Sequence, residues 1–525
     1  MSSRLARSAG LIGLATMASR VLGVVREAVL AAYFGAGTQM DAYNVAFRVP
    51  NLVRDLFAEG AMTAAFIPTF TRRLSQDGRE PAWRLGNLVI NSLLVATGTF
   101  VIAGIIFAHP ITRTFAPEFA SVPGKLDLTA NLTRAMWPFL LTVAVAVAMM
   151  GMLNSLHRFF VPALSPAMFN VATIVCTVAL VPVMPRIGLP PIAAVALGTI
   201  LGGIGQVAIQ WPVLRSEGFR YRFLFDWRDP DLRTILRLMG PGTLGLAAVQ
   251  INVAVNTYLA TGQQEGAVSW LSYAFRVMYL PIGLFGVSIA TAALPDIARQ
   301  AAADDIPALR RTVSGAIRMM LMLNVPAAAG LVALASPIVA LLLERNRFTP
   351  ADTAATATAL MFYAPGLMGY STVKIISPTF YSLGNSRVPA TISVIAVVVN
   401  LTLNVILVRT MGFAGLALGA TIAALFNAGA LMLALDRRLG GLERTEVNTA
   451  FVKICAASVV MAVAAFFVSR WTGILLPGSS TAIRAVRVAA SIGAGIVVLV
   501  ASARLLRIAE FDEARARVLR RFVPR

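Results

Sequence analysis

Histidine and cysteine are almost missing from this chain, which has two of each. Cys176 and Cys455 lie in apolar runs far apart, and His109 and His157 stand away from both, so neither a disulfide framework nor a metal-ligand spacing is present. Charge is scarce as well. Only 13% of residues are charged and 58% are hydrophobic, where soluble domains have roughly a quarter charged. With a mean hydropathy of +0.76, this excludes an ordinary soluble fold and defines a polytopic membrane protein. No phosphate-binding G-x-x-x-x-G-K-[ST] loop occurs, and Gly35-Ala36-Gly37 is too short to be more than a tight turn, so ATP is not the energy source. Acidic residues are few: 24 Asp+Glu face 45 Lys+Arg, for a net charge of +21.

Long apolar runs are what the chain does have. Fourteen reach the roughly 20 residues needed to cross the hydrocarbon: 9–33, 40–70, 86–108, 128–154, 160–183, 190–213, 234–260, 267–294, 313–343, 353–382, 387–408, 413–435, 449–469 and 483–506. Arg4 and Arg7 precede the first run as in a signal peptide, but the run continues past Arg20 and Arg26 for a full crossing and reads as a retained helix. Counted from a cytoplasmic N-terminus, the even-numbered connections collect Arg72, Arg73, Arg79 and Arg84, then the arginines from Arg215 to Arg237, then Arg437, Arg438 and Arg444. The odd connections hold only Arg113, Lys125, Arg186, Arg345, Arg347, Arg409 and Arg470. This asymmetry follows the positive-inside rule with both termini cytoplasmic. It accounts for most of the basic excess beside anionic lipid, without a nucleic-acid partner.

The chain repeats itself. Ala46-Phe47-Arg48-Val49 recurs as Ala274-Phe275-Arg276-Val277, and at the same offset Phe57 meets Phe285 and Ala64-Ala65 meets Ala292-Ala293. Val161-Pro162-Ala163 recurs as Val388-Pro389-Ala390, and Ala196-Leu197-Gly198 as Ala417-Leu418-Gly419. The pairs join spans one to six with seven to twelve. An even separation means both copies enter the membrane the same way, related by an axis along its normal. The expected fold is therefore an all-α polytopic membrane protein of 14 transmembrane helices. Two pseudo-two-fold related six-helix lobes, residues 1–214 and 215–440, surround a central cavity. Residues 441–525 add two further helices and a basic cytoplasmic tail.

Ionisable residues inside spans are costly, roughly 2.5–3.5 kcal/mol each on insertion scales, and so mark function by default. On the first span Arg20 and Glu27 are seven apart and share a face, while Arg26 lies roughly 120° round. On the second, Asp41, Arg48, Asp55 and Glu59 form one polar stripe with Arg54 beside it, and Pro50 is placed to kink the helix. Pairing among these charges is one reading. The four carboxylates do not cancel Arg20, Arg26, Arg48, Arg54 and Arg276 of the facing lobe, so a positive cavity lining remains. Arginine binds phosphate in bidentate fashion and does not deprotonate, which suits an anion such as pyrophosphate. Lys374 lies deeper in span ten, between lobe contact and cavity lining. Arg134 and Arg318 sit near span ends, where snorkelling explains them, and Arg484 and Arg487 are placed to meet outer lipid head groups.

Ser19-Arg20-Val21-Leu22-Gly23, Phe34-Gly35-Ala36-Gly37, Asp41-Ala42, Pro50-Asn51-Leu52, Phe57-Ala58-Glu59-Gly60-Ala61 and Ala65-Phe66-Ile67-Pro68 resemble the opening signature of the MurJ/MviN lipid II flippases, within the multidrug/oligosaccharidyl-lipid/polysaccharide exporter superfamily. Val268-Ser269-Trp270 with Tyr273 and Arg276, and Lys374 through Phe380-Tyr381-Ser382, extend the likeness from roughly residue 10 to 506. The resemblance implies a multi-pass protein of the bacterial cytoplasmic (inner) membrane. Its partner would be lipid II, the undecaprenyl-pyrophosphate-linked disaccharide-pentapeptide of peptidoglycan synthesis, together with membrane lipids and the cell-wall synthesis machinery. It places substrate binding on Arg20, Arg26, Arg54 and Arg276 and their acidic partners on Glu27 and Asp41, which with Arg48, Glu59 and Lys374 of the intramembrane charges make the supporting or gating set. Spans thirteen and fourteen would form a groove for the polyprenyl tail.

The sequence departs from that pattern in two ways. Phe275 stands where some members have an acidic residue beside the second-lobe arginine, and Asn256, Asn400 and Asn404 stand where some have sodium-binding aspartates. A sodium site built on these asparagines would lack carboxylate charge, so no cofactor is expected, and a monovalent ion or the membrane potential is left as the energy source. Two rivals remain. A multidrug or other lipid-linked oligosaccharide exporter of the superfamily is one, although drug exporters usually bind cations that this lining repels. A lipid-linked sugar transferase is the other, against which stands the lack of a loop-borne carboxylate pair beyond Glu118 and Asp127.

Overall fold

A computed structural model describes residues 2–56 and 60–512. Among these residues there are helices and turns and no strand. Two compact units divide the chain, one of residues 1–269 with 345–348 and the other of 270–344 with 349–525.

In the first unit, α1 (Ser2–Phe34), α2 (Thr38–Arg54), α3 (Gly60–Gln76), α4 (Arg79–Ile106) and α5 (Ala108–Phe115) precede α6 (Lys125–Met136), α7 (Phe139–Ser155), α8 (Phe160–Leu180), α9 (Ala193–Ser216) and α10 (Pro230–Thr261). Its core gathers Phe66, Phe70, Trp83, Phe139 and Met152. The second unit holds nearly all of α11 (Ala267–Pro281), then α12 (Val287–Ala302), α13 (Ile306–Ala333), α14 (Ala335–Leu343), α15 (Pro350–Tyr363) and α16 (Gly366–Ser382). It ends in α17 (Arg387–Met411), α18 (Phe413–Leu439), α19 (Arg444–Leu475) and α20 (Thr481–Leu505). Its core runs from Leu309 and Ile376 to Leu431 and Ile454, so α19 is built into it.

Nine helical stretches among the described residues are long and apolar enough to cross a membrane. The other expected spans fall on helices that carry charge, as α1 does, or amides, as α10 does with Gln250, Asn252 and Asn256, or that are interrupted. Proline explains two interruptions. Trp137-Pro138 separates α6 from α7 and Ala364-Pro365 separates α15 from α16, because proline gives no N–H and crowds the carbonyl four residues back. Residues 282–286 form a wide π turn after Pro281. In the second expected span α2 runs through Pro50 to Arg54, and residues 55 and 56 continue as a π turn. Of the expected polar stripe, Asp41, Arg48 and Asp55 fall in this described stretch, and Glu59 lies outside the described residues.

Helix starts are chemically specified. Asp229 caps α10, its carboxylate accepting from the N–H groups of Asp231 and Leu232, with Pro230 at the first helical position. Thr349 and Asp352 form a reciprocal capping box at α15.

Glycine sets helix proximity. A Cβ on Gly198 would sit 2.8 Å from Thr173 Cα, and one on Gly202 would sit 2.8 Å from Phe169 Cα, so α9 lies directly on α8 through a small residue every fourth position. Gly419, the sequence partner of Gly198, leaves room on α18 for the Asn404 side chain of α17, and Gly415 one turn earlier lies on the Leu407 backbone. Gly198→Ala is expected to lower stability by about 1–3 kcal/mol through overpacking, seen as a reduced thermal unfolding midpoint. Gly429→Ala, where a Cβ meets nothing within 4 Å, leaves it unchanged.

Candidate functional site

The membrane-buried charges of the first unit are held by near neighbours. Arg26 donates from Nε and Nη2 to Glu27 Oε1 at 3.0 and 2.5 Å, and both side chains are largely buried. The Arg26 guanidinium also lies 5.0 Å from the centroid of the Phe169 ring. Phe169 is itself fixed by Phe47 and Phe139, with centroids 5.7 and 5.5 Å away. A cation on an aromatic face gains about 0.5–2 kcal/mol, most when desolvated, so this platform fixes where Arg26 points. Asn170 Nδ2 donates to the Ser19 carbonyl at 3.1 Å, tying α8 to α1 beside Arg20. Arg20 is half-buried, and among the described residues no carboxylate pairs with it.

Arg54 repeats the arrangement of Arg26. Its Nε and Nη2 donate to Asp55 Oδ1 at 3.1 and 2.8 Å, while Gln250 Nε2 donates to Asp55 Oδ2 at 3.4 Å. Arg48 is half-buried on α2. By sequence α1 and α2 carry six arginines, Arg4, Arg7, Arg20, Arg26, Arg48 and Arg54, and two acidic residues, Glu27 and Asp41, of which Asp41 is engaged with Lys125. The surplus is positive.

Asp41 has a different setting. It is 1% exposed and pairs at 3.0 Å with Lys125, itself 3% exposed, a residue that sequence reasoning places in an outer loop. Lys125 Nζ lies 4.2 Å above the Phe119 ring. Asp41 Oδ1 accepts from the N–H and hydroxyl of Ser269 at 3.1 and 2.7 Å, and Oδ2 from the Gly266 N–H at 2.9 Å. In return, Glu265 Oε1 accepts from the Thr38 N–H and hydroxyl at 2.7 and 2.5 Å. Two helix starts are therefore cross-capped: a carboxylate on α2 satisfies donors opening α11, and one just before α11 satisfies a donor opening α2. Lys125, Glu265 and Phe169 carry no motif that would single them out in sequence.

In the second unit, Arg276 is half-buried on α11. Its neighbour Phe275 joins an aromatic nest, stacked on Tyr279 at 5.8 Å and edge-on to Tyr363 and Tyr370 at 5.5 and 6.1 Å. That packing gives a physical reason for an aromatic where an acid was the alternative. Lys374 is exposed on α16. Asn400 and Asn404 are buried on α17, with Asn404 Nδ2 donating to Asn400 Oδ1 at 3.0 Å, while Asn256 lies on α10 of the first unit. The three positions supply amides and no carboxylate.

Two expectations for the second unit are corrected. Arg484 does not face lipid head groups: Nη1 donates to the carbonyls of Ala340 and Glu344 at 3.1 and 3.0 Å and Nη2 to Glu344 Oε1 at 2.7 Å. Arg318 does not simply snorkel, since it pairs with Glu446 at 2.7 Å and Glu510 at 3.4 Å. These ion pairs fasten α20 to α14 and α19 to α13, one pair near each end of the appended helices.

An all-helical, multi-pass chain with charges held on its first two helices is a membrane transporter, and comparison gives the family. The family described as "Lipid II flippase MurJ" matches residues 30–485. The chain is 32% identical over 471 residues to a "Probable lipid II flippase MurJ" from Vibrio cholerae serotype O1, covering 88% of each chain. It is 33% identical over 475 residues to the protein of that name from Rhizobium meliloti, covering 90% of this chain and 88% of the relative. The solved structure "Lipid II flippase MurJ, inward closed conformation" superimposes with a TM-score of 0.77 at 25% identity, covering 94% of this chain and 99% of that one. An inward-facing multidrug resistance MATE family transporter of the MOP superfamily matches with a TM-score of 0.68 at 17% identity over 81% of this chain and 96% of that one, a likeness of fold alone. The chain belongs to the lipid II flippase MurJ family.

Two outcomes are expected of the cross-caps. Asp41→Asn leaves Lys125 buried without its counter-ion and costs about 3–5 kcal/mol, part of which Asp41→Asn/Lys125→Met restores; a double-mutant cycle on thermal unfolding reads both. The Thr38 hydrogen bonds hold the Glu265 carboxyl below its ordinary value of 4.5. Its stabilisation is therefore complete above about pH 4.5 and is lost as pH falls through the lower folded value. Glu265→Gln should cost about 0.5–1 kcal/mol at neutral pH, at the low end for an exposed cap, and flatten the acid side of the stability profile.

Proposed function

We propose that this protein is a flippase that moves lipid II from the inner to the outer leaflet of the bacterial cytoplasmic membrane, with both termini cytoplasmic. The observation that carries the reading is the arginine surplus on α1 and α2, within a chain whose family is established over most of its length. Guanidinium groups bind the oxygens of a diphosphate in pairs and stay charged at every physiological pH. Arg20, Arg26 and Arg54, with Arg276, take the diphosphate. Glu27, Asp41, Arg48, Glu59 and Lys374 support or gate it.

Glu27 and Asp55, adjacent to Arg26 and Arg54, hold the guanidinium groups in place before substrate arrives. A diphosphate competes with them for the same donors, so binding gains from relieving arginine repulsion without becoming irreversible. That differential affinity is all a ligand can contribute to a conformational shift. Residues 1–214 and 215–440 act as lobes in alternating access, and 441–525 receives the polyprenyl tail.

Since the asparagine set does not suit sodium, the membrane potential is the better energy source. Carrying each negative charge of the head group outward from a negative interior gains about 2.3 kcal/mol per 100 mV. Cell-wall synthesis enzymes are the natural consumers of the product.

Lipid II leaflet accessibility in vesicles tests the reading. Arg26→Ala or Arg276→Ala, with unfolding behaviour unchanged, should slow flipping at least about tenfold, the loss of one charged hydrogen bond. Unchanged flipping removes these residues from the mechanism, and covalently altered lipid II would instead indicate a transferase.

A further inference from the structure

Residues 219–228, between α9 and α10, lie along the flank of α4 in a conformation that the hydrogen bonds define. Asn87 Nδ2 donates to the Arg220 carbonyl at 3.1 Å and Asn87 Oδ1 accepts from the Arg222 N–H at 2.8 Å. One turn on, Asn91 Nδ2 donates to the carbonyls of Arg222 and Leu224 at 3.0 and 2.9 Å, and Asn91 Oδ1 accepts from the Tyr221 hydroxyl at 2.6 Å. The carbonyls of residues 220, 222 and 224 thus face the same helix, the period of two of an extended strand. Both asparagines are buried, 2% and 1% exposed, and the segment is fixed at its ends as well. Phe219 is packed edge-on against Trp83 and Trp211, and Arg84 Nη1 donates to Asp229 Oδ2 at 2.8 Å.

A segment so firmly held nevertheless displays its aromatic residues. Phe223 is 77% exposed, Trp227 48% and Phe225 43%, and Phe225 and Trp227 stand edge to face at 5.1 Å. Rigid, exposed aromatics of this kind are costly in water and favoured at a bilayer interface. Their depth agrees with that. α4 is 28 residues long, about 42 Å against a hydrocarbon thickness of about 30 Å, and the surplus of about 12 Å measured from Arg79 ends near Asn87. The segment therefore lies at the polar end of α4, beside the boundary between hydrocarbon and head groups.

The charges complete the surface. Every acidic residue of the connection is already paired: Glu217 with Arg79 and Arg158, Asp226 and Asp229 with Arg84, and Asp231 with Arg72 and Arg73. Arg215, Arg220, Arg222, Arg228 and Arg237 are exposed, and among the described residues no carboxylate pairs with them. We propose that the extended segment 219–228 is an interfacial anchor that takes anionic phospholipid head groups, its aromatics entering the leaflet and its surplus arginines binding the phosphates. The anchor is independent of which head group the protein transports.

The experiment uses the full chain in vesicles of phosphatidylcholine with phosphatidylglycerol, with one or the other lipid brominated near the head group. The difference in quenching between the parent and Trp227→Phe isolates Trp227. Brominated phosphatidylglycerol should quench it more strongly than brominated phosphatidylcholine. Arg220→Gln/Arg222→Gln/Arg228→Gln should reduce that preference at least about fivefold, the effect expected of even one such arginine at an anionic surface. Phe223→Ser, at the most exposed of the aromatics, should reduce quenching by both lipids and serves if the triple variant does not fold. Equal quenching by the two lipids in the parent, or a preference that survives the triple variant, overturns the proposal. So does a discrete protein adduct, in place of lipid, when a photo-crosslinker replaces Phe223 in native membranes.

Discussion

The cost of an ion in a low-dielectric slab governs this molecule. A helix through a bilayer gains from every apolar side chain and pays heavily for each charged one, yet α1 and α2 carry several. The chain meets the cost by making partners local. Arg26 and Arg54 each bind the carboxylate of the very next residue, a contact that needs no other helix to be in place. The Asp41 and Lys125 pair is the opposite case, a long-range bond surrounded by donors from the start of α11. Local pairs can exchange a partner for a ligand cheaply, whereas a buried pair with every lone pair engaged cannot. The two sorts of charge suit binding and structural closure respectively.

Close helix packing depends on that same slab. Lipid tails are as apolar as leucine, so helices adhere through backbone proximity rather than through burial from water. Gly198 and Gly202 on α9 and Gly415 on α18 supply that proximity. Prolines then interrupt α6 from α7 and α15 from α16, leaving shorter segments. The appended α19 and α20 are held the other way, by arginines pulled out of the lipid and onto carboxylates and carbonyl groups of the second unit.

Much of this was legible beforehand because it rests on short-range chemistry. Helical class, membrane residence and the approximate spans follow from hydrophobic length alone, and the pairing of repeat glycines followed from matched tripeptides. The family follows from contiguous signatures around Arg20, Asp41 and Glu59. What failed to show was long-range. Arg484 looked like a head-group contact because its carboxylate partner lies 140 residues away. Phe169, the platform under Arg26, is indistinguishable in sequence from any other apolar residue of α8.

By itself the sequence determined that this chain lives in a membrane, that it is helical, that it is built from a repeated set of spans, and that arginines outnumber acids on its first two helices. Those properties depend on transfer free energies and backbone hydrogen bonding, which neighbouring residues decide. Only the tertiary structure decided which charge met which, that Asp41 belongs to Lys125 and to the start of α11, and that a connecting segment is pinned to α4 by two asparagines. A contact between residues more than eighty positions apart is fixed by the folded path of the chain, and no local pattern encodes that path.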